Sequence, residues 1–153
     1  MKVQFVSVTP VVSAASAYTA GDAVGGLMTF DFDQLRSAEA IVIEQLRVVD
    51  LAKQGADLDL LLFRSTPGGT FTDNAATDPD DADMIKLVGF ISLTADSLLN
   101  DNSVSFIRNL GIYVPTTLRA AGQKVYGALV ARGTPTYAAT TDLKVELMAR
   151  TLT

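Results

Sequence analysis

The chain has 153 residues, 48% of them hydrophobic and 19% charged, with a formal net charge of −5. That is the size and composition of one globular domain, 1–153, with a core of its own rather than a disordered tail. His, Cys and Trp are absent, which removes Ser-His-Asp and Cys-His relays, imidazole and thiolate metal sites and disulfides, while the acidic balance argues against nucleic acid and anionic membranes as partners.

Runs of β-branched and aromatic residues alternate with Gly, Pro, Asp and Asn, the pattern of an all-β domain. Lys2–Thr9 is the first expected strand, closed by Pro10. Lys2 is the only positive charge there and no Leu-rich stretch follows, so the segment reads as a strand rather than a leader. No apolar run in the sequence is long enough to span a bilayer. Tyr18–Gly26 reads as a turn at Gly21-Asp22, then a bend at Gly25-Gly26 as the next strand begins, with Tyr18 packed beside the turn. That strand, Ala23–Phe32, puts Met28, Phe30 and Phe32 on one face and Thr29 and Asp31 on the other.

Ser37–Asp50 mixes strand formers (Ile41, Val42, Ile43, Val48, Val49) with residues that suit a helix (Ala38, Glu39, Glu44, Gln45, Leu46), and the β-branched centre favours one long strand. Asp57–Arg64 starts in strict alternation and ends apolar on both sides, as for a strand passing into the centre of a sandwich. Arg64–Asp83 is the longest insertion, with a turn composition at Thr66–Thr70. Asp78 is placed to cap a short helix running to about Lys86, with Pro79 in its first turn. Strands are expected at Leu87–Leu93, Ser103–Ile107, Gly111–Val114, Gln123–Ala131 and Asp142–Arg150, with turns at Leu98–Asn102 and Gly133–Tyr137. Eight or nine strands at this spacing make a single β-sandwich or jelly-roll-like domain with one short helix.

Few residues invite chemistry. Asp78, Asp80, Asp81 and Asp83 supply oxygens of the kind calcium accepts, but the Gly and Glu positions of an EF-hand loop are missing. A helix N-terminus that welcomes negative charge explains the cluster as well. Asp57 and Asp59 share a strand face, the least a glycosidase needs, yet aromatic content is only 7% and a solvated strand face is the simpler reading. No Ser-x-x-Lys or Gly-x-Ser-x-Gly motif occurs in the sequence, and the Gly pairs are too short for a phosphate loop. No enzyme, cofactor or metal is expected.

Several segments, in order, carry a resemblance. These are Tyr18-x-Ala-Gly-Asp22-x-Val-Gly-Gly26, Val48-Val49-Asp50-x-x-Lys53-Gln54 before Asp-Leu-Asp-Leu-Leu-Leu-Phe, and the Pro67–Thr70 turn leading into Thr72-Asp73-Asn74-Ala75. Asp81 and Asp83, Gly89, and Gly133-Thr134-Pro135-Thr136-Tyr137 before Thr141-Asp142-Leu143 continue it. From about Tyr18 to Leu147 the chain resembles a family of small tailed-bacteriophage virion structural proteins. The resemblance implies a capsid decoration (cement) protein on the capsid exterior, bound to the major capsid protein and to itself as a homotrimer. It supplies no functional residues to carry over. The long Arg64–Asp83 loop and the N-terminal segment to Ala17 are the expected contact elements. Within polar turns, Phe71 and Tyr137 are either partner anchors or aromatics packed over their own sheet ends; Arg64 and Thr70 are the further contact candidates. Other virion parts (head fibre, neck or tail) and a carbohydrate-binding β-sandwich are the alternatives.

Overall fold

The computed structural model describes residues 1–35, 40–94, 97–115 and 123–152. Its strands are β1 (Val3–Val8), β2 (Ala23–Asp31), β3 (Ala40–Asp50), β4 (Leu58–Phe63), β5 (Leu87–Leu93), β6 (Ser97–Leu98), β7 (Ser103–Pro115), β8 (Lys124–Ala131) and β9 (Leu143–Thr151). A 3-10 turn, Asp33–Leu35, follows β2, and the single helix among the described residues, α1, spans Asp81–Met84.

Pairing nests the strands. β4 pairs with β5, β3 with β7, β2 with β8 and β1 with β9, all antiparallel. One long ribbon, folded at β4–β5 and rolled on itself, gives two sheets of order β1-β9-β3-β7-β6 and β2-β8-β4-β5. That double-sheet winding is a jelly roll. A strand count leaves sandwich and jelly roll open; the pairing order chooses.

The core lies between the sheets. In β9, Leu143, Val145, Leu147 and Ala149 point inward and are fully buried, while Lys144 is exposed and Glu146, Met148 and Arg150 are partly so. From the other sheet come Met28, Phe30, Leu60, Leu62, Val125 and Leu129. Each large apolar side chain withdrawn in this way contributes about 1.5–3 kcal/mol.

Bulges explain where simple alternation fails. In β3 the inward residues are Ile41 and Ile43, then Leu46 and Val48, because the register shifts between Ile43 and Gln45 against both neighbours. Glu44, the extra residue, turns to Arg150 (2.7 Å). In β2 the shift lies between Val24 and Leu27, where Gly25 and Gly26 adopt φ of +77° and +68°. A side chain at Gly25 would collide with Pro10, so only glycine lets the N-terminal segment lie this close.

Four expectations are corrected. Ser103–Ile107 and Gly111–Val114 are not two short strands but one, β7, which continues through a bulge with Asn109 and Gly111 at positive φ. The helix is one turn long, capped by Asp80 instead of Asp78, so Pro79 precedes the cap. β6 takes Ser97 and Leu98, and the turn is closed by the Leu99 amide donating to the Asn102 carbonyl. Asp59 is not on a solvated face: it is 5% exposed and ion-paired with Arg132, while Asp57 is exposed. The start of the expected Ser37–Asp50 strand, 37–39, lies outside the described residues.

Candidate interaction surface

The β4–β5 connection is not a free loop. It leaves β4 at Arg64, whose amide donates to the Lys86 carbonyl, so its two ends close together. Between them the chain crosses to the far end of the sheet, where Asp73 bridges Ala23 and Ala76 bridges Asp22. The segment is a flap over the outer face of the four-stranded sheet. Phe71, 7% exposed, packs edge-on against Phe63 (5.7 Å between ring centroids) in a second apolar cluster with Leu61, Ala128 and Val130.

Carboxylates hold this flap. Asp73 accepts hydrogen bonds from the Ser13 hydroxyl, the Tyr18 hydroxyl and the Gly25 amide, each 2.6 Å. Tyr18 in turn accepts from the Ser13 amide (2.8 Å), and Asn74 donates to Ser16 (3.0 Å). The structure therefore brings together the two expected contact elements, the long loop and the N-terminal segment. Asp83, fully buried, accepts from the amides of Gly68, Gly69 and Asp80 and from Lys86. Burial alone would raise its pKa, but the hydrogen bonds from Gly68, Lys86, Gly69 and Asp80 outweigh it and hold the carboxyl well below the usual carboxylate range. Its oxygens are occupied by the chain's own donors, so this one member of the acidic run is committed to holding the flap.

Asp50 and Asp142 do the same for neighbouring loops. Asp50 accepts from the amides of Ala52, Gln54 and Gly55, and Asp142 from those of Ala138 and Ala139. Gln54 accepts from the Thr136 amide (2.9 Å), tying the β3–β4 loop to the β8–β9 loop. Tyr137 is 1% exposed and meets Tyr18 edge-to-face at 5.8 Å. Burial, and then the charges of Asp50 and Asp142 with Tyr18 between them, push its hydroxyl well above the ordinary tyrosine value. The Tyr18 hydroxyl is raised too, first by burial and then by its hydrogen bond to Asp73.

Of the four contact candidates, the rings of Phe71 and Tyr137 lie inside the chain's own packing, Thr70 is exposed on the flap, and Arg64 is half-buried at its hinge. Phe71, Thr70 and Arg64 share the flap. Tyr137 belongs to the β8–β9 loop and reaches the flap through Tyr18 and Asp73. The roles of Asp50, Asp73 and Asp142 were not apparent in the sequence, although each sits in a segment that carries the family resemblance. The available signal is an Asp followed within a few residues by turn formers, whose amides such a side chain reaches.

No protein-family model and no curated protein matches the chain. Among solved structures it is similar to a chain of infectious bursal disease virus, Gx strain, with 15% identity, TM-score 0.39, 97% of this chain and 32% of that one covered. Tomato aspermy virus gives 8% identity, TM-score 0.40, and 99% and 78% coverage. Desmodium yellow mottle tymovirus gives 9%, 0.34, and 98% and 86%. The chain thus spans about a third of the length of the bursal disease virus chain. At these identities and TM-scores the likenesses carry no weight, and the jelly roll rests on the strand pairing of this chain itself.

Proposed function

We propose that this chain is a virion structural protein, specifically a decoration protein that binds the exterior of an assembled phage capsid and stabilises it without catalysis. One observation carries the reading: the segments that resemble phage virion proteins contain the carboxylates that staple the loops. Asp50, Asp73, Asp83 and Asp142 each hold backbone amides. The resemblance therefore falls on residues that hold the loops in shape, as a shared docking surface would require. Jelly rolls serve viral shells, and also lectins and cupins, so the fold alone decides nothing.

The proposed contact surface combines the flap with the N-terminal segment. Thr70, Val11, Met84 and Ile85 are exposed on those two segments, with Arg64 at the hinge. Phe71 and Tyr137 support it from beneath. A partner that binds the assembled shell but not its separate subunits stabilises the shell by mass action, and a net charge of −5 keeps the protein off nucleic acid. Oligomerisation to a trimer would match a threefold position on the shell.

The lectin-like alternative is favoured only by the topology. Tyr18 and Tyr137 are buried, Tyr126 packs against the outer cluster of the four-stranded sheet and Tyr113 stands exposed on β7 of the other sheet, so the described tyrosines form no sugar-stacking platform. Co-sedimentation with intact particles of the source virus tests the proposal. Saturable binding in many copies per particle supports decoration. Binding in a few copies moves the protein to a vertex, neck or tail, and binding to a glycan array without particle binding overturns the virion reading.

A further inference from the structure

We infer that the free edge of β5 is a self-association site, pairing with β5 of a second copy across a two-fold axis. Sheet edges expose unpaired amides and carbonyls, and proteins guard them with charge, proline, bulges or covering segments. Two of the four edges here are guarded along their length, and a third, β1, is met by a neighbouring turn only at Gln4. Along β1, Gln4 holds Asp33 and the Gln34 amide of the adjacent 3-10 turn. On β7 stand Arg108, the Asn109–Gly111 bulge and Pro115, with β6 beside its start. Against β2 lie the flap, through Asp73 and Ala76, and Pro10.

β5 differs. Its sequence, Leu-Val-Gly-Phe-Ile-Ser-Leu, has no charge and no proline, and among the described residues it pairs with β4 alone. Its one irregularity, beside Val88, leaves Gly89–Leu93 regular. On the outer face an apolar row runs from Leu27 through Ala128 and Leu61 to Phe90 and stops at the edge, with Phe90 54% exposed.

A second copy fits this edge for two reasons, and the extent of the contact sets how tightly it binds. The chain carries a net charge of −5, and two copies approach most cheaply along a neutral strand. Antiparallel self-pairing centred on Phe90 keeps the two faces in phase from Gly89 to Ile91, before the irregularity at Val88. It sets inward Gly89 opposite the partner's inward Ile91, and it carries the apolar row across from Phe90 to the partner's Phe90. Finally, a strand pair this short buries less than the roughly 1,200 Å² at which stable interfaces begin, so a weak, concentration-dependent dimer is expected. The contact is isologous and gives a dimer, whereas a trimer needs a heterologous patch elsewhere. The inference does not rest on the virion reading: solution mass tests this one, and particle binding tests that one.

The experiment is sedimentation equilibrium of the full chain from about 10 μM to about 1 mM, the span in which weak contacts populate. The mass average should climb from 16.2 kDa towards twice that value. Phe90→Lys and Ser92→Lys change exposed positions, and both should hold the monomer mass throughout while leaving the melting temperature at low concentration unchanged. Amide exchange in β5 should slow as concentration rises in the parent chain alone. A mass fixed at the monomer value, association undiminished by Phe90→Lys, or a trimer whose β5 amides exchange at the same rate at every concentration would each overturn the inference.

Discussion

The two sheets bury their inner faces alike but treat their outer faces differently. The five-stranded sheet leaves its outer face to solvent, where Arg47 meets Glu146 (2.9 Å) and Arg150 meets Glu44. The four-stranded sheet hides much of its outer face beneath the Arg64–Lys86 flap, with Phe63 fully buried and Leu61 and Phe71 nearly so. The sequences of the strands match this division. β9 alternates strictly, as a sheet with one wet face should, whereas β4 is apolar on both sides after Asp59. An uninterrupted apolar strand announces a second cover, and here the cover is a loop stapled by carboxylates.

Substitutions can separate the core from the roof. The largest effect is expected for Phe30→Ala, fully buried between the sheets, at about 3–5 kcal/mol by chemical denaturation, with every probe reporting one transition. Asp73→Ala should cost about 3 kcal/mol, because it strands the Tyr18 hydroxyl, the Ser13 hydroxyl and the Gly25 amide at once. Phe71→Ala should cost about 2–3 kcal/mol, and its hydrogen-exchange signature should be confined to the flap and the strands beneath it. If exchange instead rises equally throughout the core, the flap is part of one cooperative unit and the division fails. Arg47→Ala, on the open face, should change stability by less than about 0.5 kcal/mol.

Acid and base test the same roof from opposite directions. The Asp83 carboxyl is depressed in the folded state, so its contribution is complete above the ordinary value near 3.8 and is lost as pH falls below it. Asp83→Asn should therefore flatten the acid limb of the stability profile. Tyr18 and Tyr137 are raised in the folded state, so their contribution is present below the ordinary value of 10.0 and is lost as pH rises above it. In a spectrophotometric titration of the folded protein these two hydroxyls should remain protonated past pH 10.0 and ionise on unfolding.

Most of the strands could be read from the sequence because burial on one face leaves a period of two. Leu87–Leu93 coincides with β5, and the faces of Met28, Phe30 and Phe32 are as expected. The ambiguity over Ser37–Asp50 has a physical source. Glu44, Gln45 and Leu46, residue types that suit a helix, fall at the bulge of an 11-residue strand, where Glu44 is the extra residue. At Asn109-Leu110-Gly111 one strand reads as two, since a bulge favours the same positive-φ residues that end strands. Loop staples escape notice for another reason. The donors are local in sequence for Asp50 but remote for Asp73, which reaches Gly25 and Ser13 across the fold. Only the wrapping of the flap over the sheet brings them together, and nothing in the run Thr72–Ala75 encodes that path. Phe71 and Tyr137 were open between anchor and core for the same cause, and their burial comes from tertiary contacts with Phe63 and Tyr18.

The most direct test of decoration is the heat stability of particles. Source-virus particles stripped of this protein and then saturated with it should release their nucleic acid at a higher temperature than stripped particles alone, with the gain reduced by Thr70→Arg on the flap. Saturating occupancy that leaves the release temperature unchanged, or no binding to stripped particles, would contradict the account.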